Sequence, residues 1–391
     1  MNALVEHPTR GADATTALEL TFEQLQLPRD VARMQLSDPA LDAALQSVLG
    51  DAACNPDGQA SVIVGRRSGK VVLLAPCLEQ TVGLPVRLGE KILLGQQLLS
   101  VRLPPSAQNG VASETDALGL LMCLRKVAAR RAIVVTDVTT NSPLYLGVLR
   151  AREADYVLTK NEPDTHLFHR FEASYDEFFN RRSSKQRNQL RKKEKVFAER
   201  FGTTFEFREY RQTHEVSEFL TAAKAINRKT YQYRMFGESV DDDQDSVAVV
   251  HRAAAAGCFR SFVLWHDAQP VCFVLGHQRN DGTFEHRQTG FDPAFRDAAP
   301  GISTNILLLR RLYEADRPHI LDFGSGDSDY KRLFSNESRL TANPILLPRR
   351  GHFMLAYWLY EASAALNSAA IGCLERLGVK DWIKRRLRGA A

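Results

Sequence analysis

The stretch PVCFVLGHQRNDGTFEHRQTGF, Pro270–Phe291, decides how the second half of this 391-residue chain folds. It reads as two β-strands, Pro270–Arg279 and Gly282–Phe291, joined by Asn280-Asp281-Gly282. The turn that matches the twist of paired strands needs positive φ, which Asn, Asp and Gly tolerate, so this is a strong hairpin signal. Just upstream, Phe259–His266 reads as a third strand. Downstream, the loop Asp292–Pro300 feeds a helix from Gly301 to about Ala315, with Ile302, Ile306, Leu309 and Tyr313 at helical spacing. His319–Phe323 is a further strand, and Gly324-Ser325-Gly326-Asp327 turns it into a short helix holding Tyr330, Lys331 and Phe334. Further upstream, Thr203–Tyr210 alternates as a strand. Glu215–Thr230 and Asp241–Ala256 are helical, the second stopped by Gly257. Strands and helices in this rhythm predict an α+β layer fold.

The helical region leading into this block is unusually basic. Ser174-Tyr175-Asp176-Glu177 is a capping box. The following segment places eight Lys or Arg within Arg181–Lys195, over a thin apolar stripe of Phe179, Leu190 and Phe197, and Ser183-Ser184 divides it. It reads either as a solvated face or as a basic rim over an anionic ligand. Nearer the start, Ser61–Val64 and Lys70–Ala75 form a hairpin about Arg66-Arg67-Ser68-Gly69, followed by short runs at Val86–Leu94 and Leu98–Leu103. Asp116–Arg130 is helical with Leu120, Leu121, Leu124 and Val127 on one side, and Ala132–Thr136 reads as a buried strand. Asn141-Ser142-Pro143 opens another short helix. The organisation expected is a loose arm over 1–45, a first domain over 46–172, a second over 173–345 and a C-terminal helical extension over 346–391. Phe353–Leu374 carries one charge, Glu361. It reads as a helix docked on the rest, as one lying on a membrane surface beside Lys384-Arg385-Arg386-Leu387-Arg388, or as a bilayer span.

Composition bounds the function. With 44% hydrophobic and 25% charged residues the chain is neither collagenous, coiled-coil nor wholly disordered. A net charge of +5 is too small for a whole-protein polyanion binder, so any basic function is local. Cys54, Cys77, Cys123, Cys258, Cys272 and Cys373 form no CxxC or Cys/His cluster, so no metal is expected. Scattered cysteines, and no signal-peptide pattern in the first thirty residues, fit a cytoplasmic protein, with peripheral contact to the inner membrane through the C-terminal helices as a further option.

Three constellations carry chemistry. Arg296-Asp297-Ala298-Ala299-Pro300-Gly301 opens a helix whose free N–H groups and positive dipole end suit a phosphate, although a Pro-Gly helix start is also common without one. Leu321-Asp322-Phe323-Gly324-Ser325-Gly326-Asp327 places Asp322, Asp327 and the Tyr330 phenol near one strand end, with helix capping as the plainer role for the acids. In Glu285-His286-Arg287, alternation puts Glu285, Arg287 and Thr289 on one face and His286 and Gln288 on the other. Charges mid-strand either pair in a structural network or line a pocket.

Together these pieces resemble the GNAT superfamily of N-acyltransferases over about Ala173–Asn336, in particular its bacterial cellulose- and polysaccharide-biosynthesis acetyltransferase-like branch, related to the Fem-type aminoacyl transferases. The residues that carry the resemblance are Ser183–Arg191, then Gly290–Phe295 with Pro300-Gly301, then Leu321–Asp327 with Tyr330, Lys331 and Phe334. Residues 60–150 resemble a degenerate first module of such chains. The resemblance implies two GNAT-like modules of mixed sheets flanked by helices. It also implies an acyl-CoA co-substrate, acetyl-CoA or longer, with no metal. The acyl group passes by direct attack of an amine, or a hydroxyl, of a sugar or small metabolite. Glu285 is then the candidate general base, with its carboxyl raised by burial, and Tyr330 the acid that protonates the leaving thiolate. Arg296, Ala299, Gly301 and Ser303 would face the pyrophosphate, with Ala299 standing where GNAT loops carry their first Gly and Pro300 removing one amide donor. Lys185, Arg187 and Arg191 would meet donor phosphates or an anionic acceptor, and Asp322, Asp327 and Lys331 the acceptor. Two alternatives stand beside this: a Fem-like transferase using aminoacyl-tRNA, the one case in which nucleic acid is a partner, and a catalytically inactive GNAT scaffold in a polysaccharide-synthesis complex.

Overall fold

A computed structural model describes residues 20–26, 60–88, 91–150, 155–159, 162–230 and 244–376, with Leu45 and Tyr233. In chain order the elements used here are β1 (Thr21–Gln26), β2 (Ala60–Arg67), β3 (Lys70–Leu88), β4 (Lys91–Leu103), α1 (Glu114–Ala128), β5 (Ala132–Val135), β6 (Val138–Thr139), α2 (Pro143–Arg150) and β7 (Tyr156–Leu158). Next come β8 (Asp164–Arg170), α3 (Tyr175–Arg181), α4 (Ser184–Phe201), β9 (Phe205–Tyr210), α5 (Val216–Asn227), α6 (Gln244–Ala255), β10 (Ser261–His266), β11 (Gln269–Gln278) and β12 (Thr283–Phe291). The last are α7 (Pro300–Glu314), β13 (Ile320–Ser325), α8 (Asp329–Phe334), β14 (Glu337–Ala342), β15 (Ile345–Pro348) and α9 (Gly351–Arg376). Two compact units result: the described residues of Met1–Leu36, Gln59–Glu162 and Ala342–Ala391 make the first, those of Ser37–Gly58 and Pro163–Thr341 the second.

The first unit is a sheet in the order β1–β2–β3–β4–β5–β15–β7, antiparallel except for β4 beside β5. Thr21–Gln26, inside the stretch expected to be a loose arm, is its edge strand and pairs with β2. The Ser68-Gly69 turn has φ of 53° and 77°, the positive values that join strands without splaying them. The runs read as separate strands at Val86–Leu94 and Leu98–Leu103 belong to one long hairpin, because β3 pairs with β4 from Leu78↔Arg102 to Leu88↔Lys91. α1 buries Leu120, Leu121, Leu124 and Val127, the face its spacing predicts, against Ile63, Val101, Ile133 and Leu346. The chain returns after the second unit to insert β15 into this sheet, and α9 packs along β3 and β15.

In the second unit the strands run β14–β8–β13–β12–β11–β10–β9. All neighbours are antiparallel except β12 and β13, whose parallel pairing needs a crossover, supplied by α7. Alternation assigns the two faces. Phe262, Val274, Phe284, Leu321 and Phe323 pack against α3, α4, α7 and α8, while Val263, Phe273 and Leu275 pack against α5 and α6. The basic segment is two helices, divided at Arg182-Ser183 as Ser183-Ser184 predicts, and Ser183 with Gln186 forms a capping box for α4. Two mixed sheets flanked by helices, with a C-terminal helix, is the fold class the sequence predicts.

Candidate active site

The site is built where β12 and β13 stop pairing. Their register runs Thr283↔Ile320, Phe284↔Leu321, Glu285↔Asp322 and ends there, although β12 continues to Phe291 and β13 to Ser325. The β11–β12 register also shifts, from Leu275↔Gln288 to Gly276↔His286, so Arg287 is an extra residue bulged from the ladder. The strict alternation expected through Thr289 therefore breaks at Arg287. Beyond Glu285 and Asp322 the two parallel strands part into a fork: β12 stays paired with β11 and Ser325 with His166, but no ladder joins the two arms.

Different chemistry lies on the two faces of the fork. Phe284 and His286 point to the side of α7 and α8, where the His286 ring lies 5.6 Å from Phe323 and 6.4 Å from Tyr330. The Tyr330 hydroxyl has no hydrogen-bond partner among the described residues, and burial pushes its pKa up, so it holds its proton. Glu285 and Asp322 alternate to the opposite face.

Glu285 corrects the sequence expectation. Burial does push its carboxyl up, but the Arg279 and Arg287 guanidinium groups outweigh it and hold the pKa below the usual carboxylate range. Arg279 donates to Oε1 at 3.0 Å and Arg287 lies 3.7 Å from Oε2. A carboxylate clamped by two cations is a poor proton acceptor. Asp322 is arranged differently. Its Oδ1 accepts from His166 Nε2 at 2.5 Å and from the Gly324 amide at 2.7 Å, while Oδ2 accepts nothing among the described residues and the side chain keeps 21% exposure.

The start of α7 closes the end of β12. Ala299 takes the left-handed conformation, φ 50°, and caps α7 with no side-chain hydrogen bond. A Cβ built on Gly301 meets only Phe291 Cδ1, at 3.7 Å, so the first turn faces open space. Ser303 is buried and its hydroxyl has no partner among the described residues, and the buried Asn305 donates to the Gly301 carbonyl at 2.8 Å. Ile302 and Ser303 donate to the Ala299 carbonyl, both at 3.1 Å, and Pro300 has no N–H, so the Gly301 amide and the spare Ser303 hydroxyl are the groups here that suit a phosphate-bearing ligand. Arg296 stands exposed on the preceding turn, Pro293–Ala298.

The remaining expected site residues divide. Lys185 and Arg191 are exposed, with Arg191 5.2 Å above the Phe179 ring. Arg187 is used internally: it donates to the Asn180 carbonyl at 3.1 Å and the Arg182 carbonyl at 2.5 Å, satisfying the end of α3. Asp327 pairs bidentately with Arg332, whose hydrogen bonds hold its carboxyl low. Lys331 donates to the Ser325 carbonyl at 2.6 Å and the Gly324 carbonyl at 3.3 Å, tying the glycine turn to α8. The structure adds His166 and Arg279, neither of which stood out in the sequence. His166 lies on β8, a strand the sequence reading passed over because His166, Leu167, Phe168 and His169 show no polar–apolar alternation. Among the described residues there is no group of His, Cys, Asp or Glu that could hold a metal ion.

Residues 184–332 match the family model described as an acetyltransferase (GNAT) domain. No curated protein matches the sequence. Among solved structures, FemX superposes with a TM-score of 0.53 at 10% identity, over 81% of this chain and 97% of that one. A conserved protein of unknown function from Bacteroides thetaiotaomicron superposes with a TM-score of 0.50 at 12% identity, over 78% of this chain and 91% of that one. At such identities the likeness shows the fold alone. The second unit carries a GNAT-type acyltransferase fold, with the fork, the start of α7 and Tyr330 inside the matched segment.

Proposed function

We propose that the protein transfers an acyl group from acyl-CoA to an amine of a sugar or small metabolite. The observation that carries this is the fork beyond Glu285↔Asp322, with the Asp322 carboxyl on one face and the Tyr330 hydroxyl on the other. A thioester lying in the fork accepts hydrogen bonds from strand amides that face the gap, and its pyrophosphate sits at the start of α7 against Gly301 and Ser303. The amine approaches on the Asp322 face. Its nitrogen bonds to the thioester carbon, and the tetrahedral oxyanion is held by the strand amides. The C–S bond then breaks. Asp322 Oδ2 takes the proton from nitrogen, and Tyr330, on the opposite face, gives one to the leaving sulfur. His166 positions Asp322. Glu285, with Arg279 and Arg287, forms a fixed charged wall beside the acceptor. Glycans of an envelope polysaccharide are one acceptor class consistent with the resemblance described above.

Thermal shift tests the donor. CoA at about a hundred times its dissociation constant should stabilise the protein by about 2.7 kcal/mol. A second reading, aminoacyl-tRNA as donor, is favoured by one feature, the exposed basic face of α4 with Lys185, Arg191 and Lys192. Stabilisation by charged tRNA and not by CoA would select that reading. Stabilisation by neither would leave a scaffold without donor.

A further inference from the structure

We propose that the first unit docks on an anionic lipid surface through the outward face of α9 and the tip of the β3–β4 hairpin. The inward face of α9 is accounted for: Phe353 and Ala356 are buried, and Tyr357 and Tyr360 partly so, against Leu84, Leu98 and Leu347 of the sheet. The outward face of a surface helix is ordinarily polar. Here it is Leu355, Trp358, Leu359 and Leu366, at helical spacing and 62%, 63%, 36% and 64% exposed, with Ala362 and Ala365 filling the stripe. Asn367 donates to the Arg87 carbonyl at 3.0 Å, which seats this half of the helix at the hairpin end. There Leu88, Ile92, Leu93 and Leu94 are 57%, 57%, 63% and 50% exposed. Isolated surface leucines need no explanation, but a helix stripe continued by a hairpin tip is an interaction surface.

Charge selects the occupant. Arg349 and Arg350, just before α9, and Arg87, bonded through its carbonyl to Asn367, are exposed at the two ends of this stretch. Residues 377–391 carry Lys380, Lys384, Arg385, Arg386 and Arg388 against Asp381 alone, which is +4 of the chain's +5. A two-fold dimer through this face would bring Arg87, Arg349 and Arg350 toward their own copies, and like charges would oppose it. Anionic headgroups neutralise these arginines and the basic C-terminal residues while the leucines and Trp358 enter the headgroup–acyl boundary. None of the described helices is long and apolar enough to cross a membrane, so the contact is interfacial.

Co-sedimentation of the full chain with vesicles tests this. It should pellet with phosphatidylglycerol–phosphatidylcholine vesicles and not with phosphatidylcholine alone, and added salt should release it. Serine at Leu355, Trp358 and Leu366 together should weaken binding about tenfold or more, with an unchanged melting midpoint because all three are exposed. Lys384→Gln and Arg386→Gln should each weaken binding by about fivefold. No pelleting with either vesicle, or equal pelleting with both, overturns the proposal. So does a sedimentation-equilibrium dimer that Trp358→Ser dissociates, because the face would then be a contact between copies.

Discussion

Replacing Gly301 with valine separates binding from folding at the start of α7. Gly301 sits in the first helical turn, and the one heavy atom that an added Cβ approaches is Phe291 Cδ1, at 3.7 Å, an ordinary contact. Valine costs about 0.5 kcal/mol of helix propensity relative to alanine and glycine about 1, so helix stability is unchanged or slightly improved. The fold should therefore survive, with circular dichroism and melting near the parent. The ligand should not be tolerated. The two methyl groups enter the open space beside the Gly301 amide, where the pyrophosphate is placed. An anion at a helix start gains about 0.3–1 kcal/mol from the dipole alone, and its hydrogen bonds to the amides add to that. Displacing it should cost tenfold or more in CoA affinity, about 1.4 kcal/mol, read by calorimetric titration at constant salt. A folded Gly301→Val variant that binds CoA as the parent does would refute the placement. A variant that unfolds would refute the claim that this turn faces open space.

Tyr330→Phe should lower turnover by about a hundredfold with CoA affinity nearly unchanged, and equal turnover in steady-state kinetics would remove Tyr330 as the acid. Asp322→Asn keeps the acceptor for His166 but loses basicity, so turnover should fall by about a hundredfold or more, whereas Glu285→Gln should chiefly raise KM for the acceptor; the reverse pattern would restore Glu285 as base. Burial pushes the His277 and His286 imidazoles down to about 4 from 6.5, so between those values the unfolded chain binds protons that the folded one does not. The melting midpoint should accordingly fall as pH drops through that window, and a flat or rising midpoint would contradict this. Arg260, 1% exposed, donates to Glu209 at 2.8 Å and to the Ala315 and Asp316 carbonyls at 2.9 Å. Arg260→Ala should destabilise by about 3–5 kcal/mol in denaturant unfolding, and a loss below about 1 kcal/mol would mean that water replaces those bonds.

The parts of the fold that local chemistry dictates were legible in the sequence. The Asn280-Asp281-Gly282 turn, the apolar face of α1, the break at Ser183-Ser184 and the helix opening at Pro300-Gly301 each rest on dihedral preference, spacing or capping within a few residues. What was missed depends on distant partners. β1 and β8 exist because β2, β13 and β14 pair with them, and neither strand alternates strongly enough to show alone. The return of β15 to the first unit's sheet joins residues about as far apart as Val134 and Ile345, which no local pattern reveals. The site follows the same rule. Tyr330 and Gly301 are legible as candidates because a strand end and a helix start mark themselves. The character of Glu285 was misread because Arg279 reaches it across a hairpin and Arg287 through a bulge, so its environment is charged rather than apolar. His166 acquires meaning only beside Asp322, 156 residues away.

Hydrogen exchange with and without acetyl-CoA tests the central claim most directly, because it reports where the donor sits. The Gly301 amide at the start of α7 and amides of the β12 arm within His286–Gly290 should gain protection on adding acetyl-CoA, and Gly301→Val should abolish that gain. Protection confined to other elements, or none at saturating acetyl-CoA, would contradict an acyl-CoA site at the fork between β12 and β13.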